Sequence, residues 1–404
     1  MKQKKTLWIV SELFPPEETS TGYIMGEIAN TMVDEYEVRV ICGPEQYDKN
    51  KKISTDSVGS IDPSIKIIRV DPVVENKKSK LSRIRKFLLM SWRLYAVARK
   101  NIKKGDKVLM VTNPFPLIVL MGHLRRHRDF TLSMLVHDIA PEGLYTDIHI
   151  PSFVYPMVEK MFNKAYSSTD LLISIGRDMS EVLACKCGKY AHKPSIEIIE
   201  NWGDVVGIYP RPRPISDKII IQYAGNIGNA QGVGEFVNTL HESNCSNIEF
   251  SIWGTGSAES AIKEQVYQLG LEDRVVFNGP YMRSQQSEIL NKCDIALVRL
   301  VKGMYGLGVP SKTYNILAAG KPILYIGERG TEIWRVVEEN GNGFCFEPSD
   351  TEGLCAFLHS LSMNFLPKLQ EMGAISRRLA ENNYSKDIIL NKFANILAKE
   401  PIRQ

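Results

Sequence analysis

Thirteen short apolar runs fall along this chain in two series, separated by one stretch with a proline at every second position. The first series is "TLWIV" (6–10), "EVRVIC" (37–42), "KIIRV" (66–70), "KVLMV" (107–111), "TLSMLV" (131–136), "DLLISI" (170–175) and "SIEIIE" (195–200). The second is "IIIQYAG" (219–225), "IEFSIWG" (248–254), "RVVFNG" (274–279), "DIALVRL" (294–300), "PILYIG" (322–327) and "GFCFEP" (343–348). The runs do not alternate apolar with polar, and segments of i, i+3, i+4 apolar spacing such as "IMGEIANTMV" lie between them. Strands of that kind, buried on both faces and joined by helices, make a parallel sheet covered on both sides. The pause, "GDVVGIYPRPRPISDK" (203–218), has no helical period and reads as an extended linker.

The expected fold is therefore α/β, with two Rossmann-like domains facing across a cleft. The boundaries predicted are 1–203, a linker over 204–217, a second domain over 218–380, and a final amphipathic helix within 381–404 packing near the interface. Ligands of open α/β sheets bind outside the carboxyl ends of the strands, so the turns that follow them matter most.

A chain of 404 residues that is 44% apolar can fill two cores. Seven scattered cysteines favour a reduced compartment over a disulfide framework. Cys185, Cys187 and His192 suggest a metal site, but no second half with ligand spacing follows, and no metal is expected. "MKQKKTLWIV" is basic and then apolar for only a strand's length before Glu12, unlike a signal peptide. No run approaches the roughly 18 apolar residues of a spanning helix. A net charge of +4 is too mild to argue for nucleic acid.

Four turns carry candidate chemistry. After the first strand, Ser20, Thr21 and Gly22 open a helix, whose free N–H groups suit a phosphate or a sugar hydroxyl; an ordinary N-cap explains the same residues. After the fifth strand, "LVHDIAPEG" places His137, Asp138 and Glu142 at a strand end, as ligand groups or as a capped turn with a satisfied histidine. The second half opens with "YAGNIGNAQGVGEF", where Gly225, Asn226, Gly228 and Gln231 precede a helix. "IWGTGSAESAIKEQ" repeats the device with Gly254 and Gly256.

Residues 77–107 hold twelve Lys or Arg and a single acid, Asp106, around an apolar stripe that includes Trp92. A basic amphipathic helix with aromatics fits an anionic membrane surface, with Arg83, Arg85, Lys86 and Trp92 on that side; a solvated basic face is the alternative. No nucleic-acid-binding module accompanies it.

Taken in order, "FPPEETSTG", "HDIAPEG", "IIENWGD", "YAGNIGNAQGV", "IWGTGS", "FNGPYMRSQQSEILNKCDIALVRL" and "GVPSKTYNILAAGKPIL" resemble the family 4 glycosyltransferases of the GT-B fold. Within it, the subgroup that builds bacterial O-antigen and capsule polysaccharides is the nearest likeness. The resemblance spans nearly the whole chain. It implies a nucleotide-sugar held mainly by the C-terminal domain, UDP favoured over GDP, with no cofactor. It also implies retaining hexosyl or N-acetylhexosaminyl transfer to a saccharide or polyprenyl-linked acceptor bound mainly by the N-terminal domain. Cytoplasmic work at the inner face of the cell membrane goes with that activity.

Position by position, the resemblance puts Gly22 near the donor diphosphate, His137 on the donor sugar and Tyr281 near the nucleobase. Thr21, Ile227 and Gly308 join the donor-binding set with the glycine turns. Asn226 and Gln231 stand where many members carry Arg and Lys, and Leu307 and Asn315 where many carry two Glu. An Asn still offers a ribose neutral hydrogen bonds, whereas a Leu offers none. No Asp-x-Asp holds a bridging metal. Lys312, at the start of the "SKTYNILAAG" helix, is then the available cation, with Ser311 as cap and phosphate donor. In this scheme His137, Asp138 and Glu142 orient sugar and acceptor. A nucleotide-sugar epimerase and a catalytically silent binding subunit of a polysaccharide assembly complex remain the rival expectations.

Overall fold

The computed structural model describes residues 4–17, 19–45, 60–74, 80–143, 151–213 and 216–399. The chain divides into two compact units: residues up to Ile199 with 306–308 and those from Leu390, and residues 200–305 with 309–389.

In the first unit every apolar run of the first series is a strand: β1 (Lys5–Ser11), β2 (Tyr36–Cys42), β3 (Lys66–Arg69), β4 (Lys107–Val111), β5 (Thr131–Val136), β6 (Leu171–Ser174) and β7 (Ser195–Ile198). They form one parallel sheet in the order β3-β2-β1-β4-β5-β6-β7. Helix α1 (Ser20–Met32) leads leftwards from β1 to β2. Helices α2 (Lys80–Asn101), α3 (Phe115–His127), α4 (Tyr155–Tyr166) and α5 (Arg177–Cys187) connect strands that progress the other way. Right-handed crossovers therefore put α2 to α5 together on one face of the sheet, and each packs on the next. Gly122 makes the α3–α4 contact close, since a Cβ there would lie 2.9 Å from the Cα of Ala165.

The second series is likewise all strand: β8 (Ile219–Ala224), β9 (Ile248–Trp253), β10 (Val275–Gly279), β11 (Ile295–Arg299), β12 (Ile323–Ile326) and β13 (Gly343–Phe346), in the order β10-β9-β8-β11-β12-β13. Helices α6 (Val233–Ser243) and α7 (Glu259–Gln268) pack on one face with α11 (Thr351–Ser360) around Phe236, Phe250 and Leu358. The other face, around Ile316, Leu317 and Val337, takes α8 (Gln286–Leu290), α9 (Lys312–Ala318), α10 (Glu332–Asn340) and the end of α12 (Leu366–Asn382). Two Rossmann-like domains of this kind are the make-up of the GT-B fold.

The stretch expected as a linker is tied to the second unit rather than loose. Arg213 pairs with buried Asp294 at 2.6 Å, Asn291 accepts from the Arg211 N–H, and Arg377 donates to the carbonyls of Val205 and Ile208. The last helix, α13 (Lys386–Ala398), ends in the first unit. There Lys107 Nζ donates to the carbonyl of Leu397 at 2.7 Å and to that of Lys399 at 3.1 Å. A cation on the free carbonyls of a helix end satisfies acceptors that the helix itself cannot.

Candidate functional site

In the second unit the site grows from the end of β8. Gly225 leaves the strand at a φ of +149°, which a side chain would resist. The turn then closes on itself: Tyr223 donates its hydroxyl to the Asn226 carbonyl at 2.5 Å, and Gln231 Oε1 accepts from the Gly228 N–H at 3.1 Å. Gln231 is thus folded back onto its own turn. Gly254 follows β9 at a φ of +126°, where a Cβ would stand 1.9 Å from the Gly225 carbonyl oxygen; one on Gly256 would stand 2.2 Å from that of Ile227. These two glycines let the second turn lie against the backbone of the first.

Lys312 opens α9 and doubles back beneath Gly225. Its Nζ stands 3.4 Å from the centroid of the Tyr223 ring, and 3.8 Å from where a Cβ on Gly225 would be. It is buried and has no hydrogen-bond partner among the described residues, and burial lowers its pKa to about 7. The ring face offers a cation–π contact but not a counter-charge. A buried amine of this kind is costly unless something anionic meets it.

At the start of α9 one residue differs from expectation. Ser311 precedes α9 with helical backbone angles and makes no capping hydrogen bond, so it does not cap the helix. α9 spans only seven residues, which leaves the charge of Lys312 rather than a long helix dipole as the electrostatic feature. The Asn315 amide is engaged on both sides: Oδ1 accepts from the Asp204 N–H at 3.0 Å and Nδ2 donates to Gln286 at 3.3 Å. One lone pair and one N–H of that amide are left for a ligand. Tyr281 packs edge-on to Trp253 at 6.4 Å.

In the first unit, Thr19 caps α1, accepting from the Gly22 N–H at 3.0 Å, where Ser20 or Thr21 was expected. Gly22 is required because a Cβ would come within 2.9 Å of the Glu17 carbonyl oxygen. Its N–H is therefore already spent inside the loop. At the end of β5, Thr112 Oγ1 accepts from the N–H groups of both His137 and Asp138 and so sets the strand end. His137 Nε2 has no partner among the described residues, and burial holds the ring neutral with a pKa of about 4. Asp138 still reaches solvent, while surrounding protein raises its carboxyl to about 6. Asp138 bridges Gly308, and the Ile139 N–H donates to the Leu307 carbonyl at 3.0 Å. Glu142 points elsewhere: Oε1 accepts from buried Lys186 at 2.5 Å and from Tyr155 at 3.2 Å, an internal ion pair.

On α2, Lys86 is only 7% exposed and cannot face a membrane, which corrects the expectation for that residue; helix phase turns it inward. Arg85 is exposed, Arg83 half-buried, and Trp92 is 55% exposed. Thr112, Tyr223, Thr19 and Lys186 were not singled out in the sequence. Only Tyr223 left a trace there, as a polar-tipped ring near the end of a mostly apolar strand. Among the described residues no group of three or more His, Cys, Asp or Glu is placed to hold a metal. Among them, too, no helix is long and apolar enough to cross a membrane.

Comparison with known proteins bears on the family and the fold. Residues 218–364 match the family model described as "Glycosyl transferases group 1". The Pseudomonas aeruginosa protein named "Probable glycosyltransferase WbjE" is 30% identical over 402 residues, covering 96% of each chain. The Escherichia coli (strain K12) protein named "Putative colanic acid biosynthesis glycosyl transferase WcaI" is 29% identical over 182 residues, 44% of this chain and 43% of that one. Among solved structures, HepE of Anabaena in complex with UDP and glucose superposes with a TM-score of 0.67 at 14% identity, covering 98% of this chain and all (100%) of the other. That likeness concerns the fold. The match along the whole length of WbjE decides the family: the chain belongs to the group 1 glycosyl transferases.

Proposed function

We propose that this glycosyltransferase takes its sugar from a UDP-linked donor and passes it, with retention of configuration and without a metal, to a lipid-linked saccharide or growing surface polysaccharide. The observation that carries the donor half is the buried, unpartnered Lys312 amine beside the Gly225 turn. A diphosphate is the anion that such a site would accept, and HepE, of the same fold, is solved with UDP. The O-antigen and capsule likeness in the sequence, and relatives such as WcaI, favour a polysaccharide acceptor.

Breaking the bond to the diphosphate leaves an oxocarbenium-like centre, so most of the catalytic gain lies in stabilising the leaving group and placing the acceptor hydroxyl. Lys312 would neutralise the diphosphate, taking up a proton as it does so. The turn at Gly225, Asn226, Ile227 and Gly228, supported by Gly254, would supply backbone N–H groups, with Ser311 and Gly308 beside them. Tyr281 would flank the base and Asn315 the ribose. In the first unit, neutral His137 would accept from or donate to a sugar hydroxyl, and Asp138 would orient the acceptor. Thr21 and Gly22 contribute loop backbone, and Glu142 acts through its pair with Lys186. Arg83, Arg85 and Trp92 on α2 would approach the inner face of the cell membrane.

A panel of labelled UDP- and GDP-sugars tests this. Acceptor-dependent release of UDP is expected; isomerised donor would point to an epimerase, and no turnover of any donor to a silent binding subunit.

A further inference from the structure

The turn after β8 is tied from three sides. On the β9 side, the Gly225 and Ile227 N–H groups donate to the carbonyls of Trp253 and Thr255, both at 2.9 Å. From within, Gln231 closes on the Gly228 N–H. On the β11 side, the Val301 N–H donates to the Ala230 carbonyl at 3.0 Å. There Arg299, the one charged residue of the strand "IALVR", also reaches the point where the turn becomes α6. Its Nη1 donates to the Gly232 carbonyl at 2.5 Å and to the carboxylate of Glu235 in the first turn of α6.

Arg299 and Gly232 fit as a pair. Gly232 has left-handed backbone, with a φ of +56°, and a Cβ there would stand 1.5 Å from Nη1. Glycine is what leaves room for the guanidinium. The Gly232 carbonyl also accepts from the Glu235 N–H at 3.2 Å, so turn, helix and β11 meet on one oxygen. Arg299 is 5% exposed, whereas the Glu235 side chain is 57% exposed. The Nε of Arg299 has no partner among the described residues, which is a cost rather than a gain. A buried ion pair adds little net stability over apolar groups of the same volume. What this one adds is shape: it fixes a turn whose own Asn226 and Gln231 bring no charge.

We propose that Arg299 is a positioning residue for the donor: by holding the Gly232 carbonyl it keeps the turn from Gly225 to Gly228 in the shape that receives the diphosphate, and Glu235 is dispensable to that role. The proposal rests on the UDP-linked donor reading. Arg299 acts through Gly232 and does not touch the donor. Without that contact the β9 side of the turn stays tied, but the end that enters α6 is freed. UDP affinity then falls in proportion to the fraction of molecules whose turn keeps the competent shape.

The test is calorimetric titration of the full chain with UDP, alongside thermal melts and hydrogen exchange over residues 225–232. Arg299→Met should melt near the parent, exchange faster over 225–232 but not over α7, and bind UDP at least about tenfold more weakly. Arg299→Lys keeps a charged donor, and because one nitrogen makes both contacts no fork is needed; it should recover affinity to within about threefold. Glu235→Gln keeps the Gly232 contact and should bind UDP as tightly as the parent or more so. Parental affinity in Arg299→Met, or no recovery in Arg299→Lys, overturns the proposal. So does Glu235→Gln as weak as Arg299→Met, since the ion pair rather than the Gly232 contact would then hold the turn. Weaker binding with unchanged exchange makes Arg299 a direct donor contact and overturns the positioning role. If Arg299→Met does not fold, Glu235→Gln decides: parental exchange and affinity support the proposal, and loss of either overturns it. No UDP binding by the parent overturns the donor reading and this inference with it, whereas a parent that binds UDP and is indifferent to Arg299→Met overturns this inference alone.

Discussion

The turn after β1 and the turn after β8 occupy equivalent places in two sheets of the same kind, yet they are built oppositely. After β1, the loop satisfies itself: Thr19 takes the Gly22 N–H, and Gly22 is small because the Glu17 carbonyl crowds it. After β8, the loop also closes its own hydrogen bonds, but it does so over a lysine whose buried amine nothing in the described structure pairs. Glycine at a strand-to-helix turn therefore does not by itself mark an anion site. What distinguishes the second turn is a buried, unpartnered amine held against it by an aromatic ring.

That contrast can be broken from its strongest side. Lys312→Met removes the cation while keeping the buried volume, and turnover should fall by about a hundredfold or more, as when a transition-state electrostatic partner is lost. The same variant should fold at least as well as the parent. Native Lys312 favours its neutral form, so the unfolded chain binds more protons between about 7 and the ordinary lysine value of 10.5. Stability from this group therefore rises with pH across that window, and the penalty is full below it. Thermal melts at pH 7 should show Lys312→Met no less stable, and unchanged turnover in that variant would remove Lys312 from the site.

A smaller effect is expected at the end of β5. His137 is neutral, so its contribution is a neutral hydrogen bond: His137→Ala should lower kcat/KM by about three- to tenfold. With its pKa near 4, the ring should give no inflection in the pH–rate profile between pH 5 and 8; an inflection near 6 would instead report Asp138. The smallest effect on activity belongs to the first turn. Thr19→Ala should cost about 1 kcal/mol of stability through the lost cap, read by urea denaturation, while turnover stays within about twofold. A larger loss of turnover would mean that the β1 turn does more than close itself.

The sheets were legible because continuous apolar runs bounded by turn residues have few other solutions, and every run of both series is a strand. The caps were not. Thr19, Ser20 and Thr21 are chemically equal candidates, and only the path of the loop over Glu17 selects the first. Glycines 254 and 256 looked like places for a ligand to approach, but the backbone of the neighbouring turn approaches instead, a contact between segments that local sequence does not encode. Lys86 sits in a run of bases whose composition says membrane, while helix phase puts that one side chain inside. Lys312 itself was legible as a cation at a helix start. Its burial over Tyr223, and hence its lowered pKa, depends on packing between β8 and α9.

The central claim is that Lys312 receives the donor diphosphate and becomes charged in doing so. Calorimetric titration with UDP at pH 8, in two buffers of different ionisation enthalpy, measures this directly. The account predicts uptake of close to one proton per UDP bound, since the free amine is mostly neutral there and the bound one charged. The uptake should be absent in Lys312→Met. Equal heats in both buffers for the parent chain, or undiminished UDP affinity in the variant, would contradict it.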